Sequence, residues 1–243
     1  MLTAGKGGPP ATGRSRARLL RVIASGPIIV HQSLPVGDPP TAWLAVAQEL
    51  VPTATSWAVN SHALCAPING YELVEESSAF DSTDFKLVFV DCPPGKSPIG
   101  GGGGIFFFNP DLALFSQQPT ATGWLAGGRE SSPVAGNWLV NVKVSCAPAV
   151  DLESILSGTN FATGNRDELW LQCNAPRVLI GGGVHSEHAF YGAWPESSIR
   201  WQVDGRRISG TAAWTLIGSI VCYLPPLFFD GFESGDTSAW PAP

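Results

Sequence analysis

The feature that most constrains this chain is the return of rare residues at an interval of 81 positions. Two pairs of tryptophans and two pairs of cysteines keep this interval: Trp43 and Trp124, Trp57 and Trp138, Cys65 and Cys146, and Cys92 and Cys173. The tetrapeptide Ile-Gly-Gly-Gly at 99–102 returns at 180–183, Lys96 corresponds to Arg177, and Phe89 corresponds to Trp170. A third closing motif has Trp201 and Trp214 ahead of Cys222. A fixed period of this length predicts a repeat architecture.

The spacing divides the chain into three units and a tail, with boundaries at 1–65, 66–146, 147–222 and 223–243. The first unit is degenerate or incomplete. Leu2 stands where the second unit has Cys92, only the pair Gly5-Lys6 of the opening motif is kept, and no glycine triplet follows.

The local pattern predicts short strands. Trp138, Val140, Val142 and Val144 alternate with other residues and would share one face of a strand. Further β-prone segments lie at 71–75, 85–90, 105–108, 112–116 and 124–126, separated by proline and glycine clusters. We expect an all-β fold of tandem antiparallel repeats, and sandwich, barrel and prism forms all remain open. The glycine run at 100–104 indicates close backbone approach, a bulge or a bend.

Composition excludes two classes of protein. The net charge is −6, whereas a nucleic-acid-binding protein usually carries a basic surface. We interpret the basic N-terminal residues as a disordered leader. The uncharged stretch 212–229 is interrupted by Pro225 and Pro226, so we predict no transmembrane segment. Residues 19–30 do not form a convincing secretory signal, because Arg21 and Pro27 break the apolar run.

The second unit resembles a repeat of uncharacterised secreted bacterial proteins. The resemblance rests on Cys92-Pro93-Pro94-Gly95-Lys96, on the glycines 100–102, and on Trp124, Trp138 and Cys146-Ala147. It covers the third unit less well and the first only in its second half. The segment Asp230-Gly231-Phe232-Glu233-Ser234-Gly235-Asp236 is similar to a short C-terminal tail of secreted proteobacterial proteins. The resemblance implies export and a β fold, and it supplies no catalytic residues.

Four groups of residues resemble known kinds of site, and none of them is predicted to act as one. His185 and His188 are three residues apart in a loop, a poor zinc spacing, and the second unit has no ligands there. Asp230, Glu233 and Asp236 do not match a calcium loop. The glycines 100–104 lack the ending of a phosphate-binding loop, and no nucleophile elbow occurs. We therefore predict no catalytic residues, no metal and no cofactor.

The nine tryptophans divide into two groups. Those that recur at one repeat position (Trp57, Trp138 and Trp214; Trp43, Trp124 and Trp201) are predicted to lie in the core. Trp170, Trp194 and Trp240 have no tryptophan counterpart and are the candidate surface aromatics.

Two disulfide schemes respect the repeat. One joins cysteines within a unit, Cys92 with Cys146 and Cys173 with Cys222, and the other joins neighbouring units, Cys65 with Cys92 and Cys146 with Cys173. We favour the first scheme, which leaves Cys65 as a free thiol. Recurring cysteines predict an oxidising compartment, outside the cell or at its surface.

The resulting hypothesis is a secreted or surface β-repeat protein without catalysis, which works as an interaction or structural module. The alternatives are a carbohydrate-binding module and a secreted hydrolase. The partner is unknown, with a glycan or another cell-surface component as the candidates.

Overall fold

The structure, a computed structural model, describes residues 20–23, 28–50, 52, 54, 56–61, 63, 70–107, 109–148, 151–161, 166–206 and 213–224. These residues form strands and turns without a helix, which confirms the all-β expectation. The strands are β1 (Leu20–Ile23), β2 (Ile28–Gly37), β3 (Pro40–Glu49), β4 (Ala58–Ser61), β5 (Glu72–Ser77), β6 (Phe85–Asp91), β7 (Lys96–Phe106), β8 (Leu112–Pro119), β9 (Gly123–Glu130), β10 (Leu139–Pro148), β11 (Leu152–Phe161), β12 (Arg166–Gln172), β13 (Val178–Ser186), β14 (Ala189–Pro195), β15 (Arg200–Arg206) and β16 (Trp214–Tyr223).

These strands form three antiparallel sheets. Sheet I has the order β3-β2-β7-β10-β5, sheet II the order β11-β16-β13-β8-β9-β6, and sheet III the order β12-β15-β14-β1-β4. Each sheet combines strands from two separate parts of the chain; in sheet III, for example, Leu20 of β1 pairs with Ala193 of β14. Of the segment expected as a strand at 105–108, Ile105 and Phe106 form the end of the longer strand β7 and Phe107 lies beyond it, while residue 108 is outside the described part.

Three hairpins, β2–β3, β8–β9 and β14–β15, share one hydrogen-bonding pattern. In each hairpin a proline of the first strand pairs with a tryptophan of the second, and the register shifts by one residue earlier in the first strand. The proline–tryptophan pairs are Pro35 with Trp43, Pro119 with Trp124, and Pro195 with Trp201. The shifts follow Val30, Leu114 and Phe190.

One hydrophobic core lies between the three sheets. Its buried residues include Ile28 from sheet I, Val88 from sheet II and Val203 from sheet III. The largest fully buried side chains are four of the repeated tryptophans, Trp124, Trp138, Trp201 and Trp214. Because residues of all three sheets belong to one cluster, the three sheets share the burial of these rings.

The glycine runs lie inside strands and allow other groups to approach closely. A Cβ atom at Gly101 would lie 2.6 Å from the Trp124 ring, and one at Gly182 would lie 2.6 Å from the Trp201 ring. A Cβ atom at Gly102 would overlap the backbone of Ser33, where β2 crosses next to β7. The register of β7 against β10 also shifts opposite Ser145 and Cys146. Close approach and a bulge, two of the expected roles, are therefore both present.

Replacing Gly102 by alanine is expected to destabilise the protein by about 1–3 kcal/mol, because backbone must move to accommodate the new methyl group. Gly100 is the matched control, since a Cβ atom there would meet nothing within 4 Å. Chemical denaturation of both variants tests this expectation. Equal midpoints for Gly102→Ala and Gly100→Ala would contradict the close approach of β2 to β7.

Two disulfides join different sheets. Cys92, which follows β6 of sheet II, is bonded to Cys146 in β10 of sheet I, with Cα atoms 5.7 Å apart. Cys173, which follows β12 of sheet III, is bonded to Cys222 in β16 of sheet II, also with Cα atoms 5.7 Å apart. Pairing within units is confirmed for these four cysteines. Cys65 lies outside the described residues.

Candidate interaction surface

The repeated tryptophans differ in burial from one unit to the next. Trp138 and Trp214 are buried, whereas Trp57 is only partly buried against the same core. The Nε1 atom of Trp138 donates to Glu130 at 3.0 Å, and that of Trp57 donates to Glu49 at 2.9 Å. Core placement is thus confirmed for Trp124, Trp138, Trp201 and Trp214, whereas Trp43 and Trp57 are only partly buried. The four buried rings are not available as a binding platform.

The three candidate surface aromatics have different outcomes. Trp170 in the edge strand β12 is 47 % exposed. Trp194 is only 9 % exposed, so the expectation of a surface position is wrong for this residue. It lies in β14, an inner strand of sheet III, whereas Trp170 lies in the edge strand β12. Trp240 lies outside the described residues.

A second exposed group, on strand β6, was not predicted. Its exposure alternates, with Phe85, Leu87 and Phe89 facing solvent while Val88 and Val90 face the core. Strand β6 is the edge of sheet II, and Phe85 stacks on Phe115 of β8 with ring centroids 5.3 Å apart. Apolar residues at successive positions are typical of a strand buried on both faces, so the sequence did not distinguish this exposed face.

Strand β12 presents a more polar surface around Trp170. Register places Trp170 opposite Gln202 of β15, and Gln202 opposite Trp194 of β14, so the three side chains form a row on one face of sheet III. Glu168 lies two residues before Trp170 on the same face and accepts a hydrogen bond from Nε2 of Gln202 at 2.9 Å. The row therefore joins an exposed indole ring to a fixed carboxylate–amide pair.

The histidine pair weighed as a metal site forms part of an aromatic contact instead. His185 of β13 packs edge-on against Phe115, with ring centroids 5.6 Å apart. Burial is the main cause that lowers the pKa of His185 below its ordinary value, while Glu187 opposes this effect and Arg129 adds to it. Within the described residues there is no cluster of three or more histidine, cysteine or acidic side chains suited to hold a metal ion. Asp230, Glu233 and Asp236 lie outside these residues.

The glycine run 100–104 and the neighbouring Lys96 take part in contacts that hold the sheets together. Glycines 100–104 pair with β10, so their backbone is engaged in the sheet. Lys96 forms an ion pair with Glu72 at 2.6 Å, and the corresponding Arg177 pairs with Asp151 at 2.9 Å. Each bridge ties the start of β7 or β13 to the edge-strand region of its sheet, which indicates a structural role at the end of the strand.

His31 is a buried histidine that makes stability depend on pH. It lies in β2 at the register shift, it is fully buried, and burial lowers its pKa from 6.5 to about 4. Above pH 6.5 both the folded and the unfolded chain carry it neutral; as the pH falls from 6.5 towards 4, only the unfolded chain gains the proton. We expect a loss of about 3 kcal/mol over this window from His31.

Denaturation of the wild type and of His31→Leu at several pH values isolates this contribution, because other acid-sensitive groups are common to both. The wild type should lose more stability than the variant between pH 6.5 and 4. Parallel pH profiles for the two proteins would contradict the lowered pKa.

Comparison with known proteins adds no family: no family model matches the chain, and no curated protein matches it. In the part of the chain that the structure describes, there is no helix with the length and apolar character needed to cross a membrane.

Proposed function

We propose that this chain is an exported, non-catalytic β-repeat protein that acts as an interaction module through the outer faces of its sheets. The observation that carries the proposal is the shared exposure of Phe89 and Trp170, which are 81 residues apart in sequence and 55 % and 47 % exposed. Each is an aromatic side chain on the outer face of an edge strand, β6 or β12. Exposed apolar surface of this kind is typical of sites that contact a partner.

The strand pairing supports a ring of three repeats with the form of a prism. The unit at 1–65 supplies β1 to β4, the second unit supplies β5 to β10, and the third supplies β11 to β16. Sheet I then joins units one and two, sheet II joins units two and three, and sheet III joins units three and one. The common register of the three hairpins favours this arrangement over a sandwich.

Export is supported by the two disulfides, because such bonds persist in oxidising compartments and are rare in the cytosol. Alkylation of the native protein directly after cell lysis, followed by mass spectrometry, tests this. We expect Cys65 alone to be alkylated, in protein recovered outside the cytoplasm. Alkylation of all five cysteines in cytoplasmic protein would overturn the proposal of export.

Interaction through the outer faces is tested by binding of the labelled, oxidised full chain to intact bacterial cells, isolated cell wall and coated extracellular-matrix protein. Saturable binding to at least one of these surfaces should fall when Phe89 and Trp170 are both replaced by serine. Leu156→Ser is the control, because Leu156 is 67 % exposed on a different edge strand, β11. Unchanged binding by the double variant, or no saturable binding to any surface, would contradict the proposal.

A further inference from the structure

We infer that the outer face of sheet III around Trp170 binds a saccharide chain, an inference that rests on the interaction role proposed above and names its ligand. Glu168, Trp170 and Gln172 project from the outer face of the edge strand β12, and Gln202 lies opposite Trp170 on β15, whereas Trp194, next in register on β14, is buried. With a rise of about 3.3 Å per residue, the three side chains of β12 extend over about 13 Å along the strand. That length can contact more than one sugar ring.

The side chains around Trp170 offer both kinds of contact that a sugar requires. A pyranose ring has an apolar C–H face, which packs against the face of an indole ring, and a rim of hydroxyl groups. Glu168 and Gln172 lie two residues before and after Trp170, so all three project from the same face of β12. A carboxylate accepts hydrogen bonds from hydroxyl groups, and an amide both donates and accepts them.

The hydrogen bond from Gln202 Nε2 to Glu168 Oε2, at 2.9 Å, holds two of these polar groups in place beside the ring. A carboxylate and an amide that are already oriented lose less conformational freedom when a ligand binds. Since the pair lies next to an exposed ring rather than beneath it, its polar edges border the surface that the ligand would cover.

Local charge determines which saccharides fit. Glu168 is the acidic residue beside Trp170 on this face, whereas its register partner on β15, Asp204, is buried. The Glu168 carboxylate repels uronic acids and sulfated sugars and favours neutral or amino-substituted ones. The corresponding face of sheet II places Phe85 opposite Arg129 and Phe89 opposite Leu125, so its apolar residues lack a carboxylate–amide pair. The inference therefore applies to sheet III.

The line of Glu168, Trp170 and Gln172 favours a polymer over a single sugar. It runs along β12, the edge strand of sheet III, so that a ligand can contact three side chains in succession, and among the described strands only β15 adjoins β12 in this sheet. The outer face of a sheet also contacts only one side of a ring. Several contacts along a chain are then needed to reach useful affinity.

The test measures binding of the oxidised full chain to insoluble chitin and cellulose, and to soluble chitosan and polygalacturonate. We expect saturable binding to at least one of the neutral or amino-substituted polymers and none to polygalacturonate. Trp170→Ala should weaken that binding by about tenfold or more, as removal of a central aromatic contact does. Gln202→Ala should weaken it less, and Leu156→Ala should leave it unchanged. Thermal unfolding of each variant verifies that it is folded.

Three outcomes would overturn the inference: no binding to chitin, cellulose or chitosan; equal binding by folded Trp170→Ala; or tighter binding to polygalacturonate than to the others. Failure here is distinguishable from failure of the proposed function. A protein that binds cell wall or matrix protein in a Phe89-dependent manner, yet binds none of these polysaccharides, keeps its interaction role and loses the saccharide assignment.

Discussion

Replacing Trp138 by alanine is expected to lower the free energy of unfolding by about 3–5 kcal/mol, because the substitution leaves a large cavity in the shared core. The Trp138 ring is fully buried, its Nε1 atom donates to Glu130 at 3.0 Å, and the Lys86 ammonium group lies 4.9 Å from the ring centroid. Lys86 is itself buried and paired with Asp81, so the loss of the ring also removes a cation–π contact from an enclosed charge. Urea denaturation of the oxidised protein measures the change.

Trp57→Ala is the matched control for this prediction. Trp57 donates to Glu49 at 2.9 Å, as Trp138 does to Glu130, yet it is only partly buried. Its replacement should therefore cost distinctly less than that of Trp138. If the two variants lose equal stability, burial is not what separates the first unit from the second.

Removing the disulfide between Cys92 and Cys146 with a double serine substitution is expected to cost about 4 kcal/mol on the chain-entropy estimate. The bond closes a loop with a sequence separation of 54, and the Cys173–Cys222 bond closes one of 49, so the two losses should be similar. The measurement is the unfolding midpoint of each double variant, with the wild type before and after reduction as reference.

Unequal losses of stability in the two double variants would bear on whether the three sheets unfold together. The first bond ties sheet II to sheet I, and the second ties sheet III to sheet II. If one variant unfolds in two steps while the other remains cooperative, the three sheets do not share a single core. That result would also contradict the shared burial of the tryptophan rings.

The repeat period carried most of the information that could be predicted from the sequence. Cys92 and Cys146 form the expected bond, and Trp138 and Trp214 lie in the core, because the spacing of tryptophan and cysteine fixes their relation within a strand. The alternation of residues 138–144 likewise predicted the inward face of β10. The inward face of a strand is set by local spacing, whereas the disulfide, with a sequence separation of 54, was predicted from the recurrence of the cysteines.

The features that were missed depend on which strands become neighbours. Trp194 is buried in β14, an inner strand of sheet III, and Phe89 is exposed on β6, the edge strand of sheet II. Spacing along the chain does not encode strand order, so the sequence pattern around an apolar residue is the same in an inner strand and in an edge strand. The row of Trp170, Gln202 and Trp194 was unpredictable for the same reason, since it requires the order β12-β15-β14.

The sharing of sheets between distant segments also sets the order in which the chain can fold. Sheet I is complete once β10 has been made, but β8 must wait for β13, and β1 must wait for β14. Contacts of such large sequence separation slow folding, and until they form, β1 and β8 have open edges that can pair with other chains. Fragments that end near residue 148 should therefore aggregate rather than fold as shorter versions of the protein.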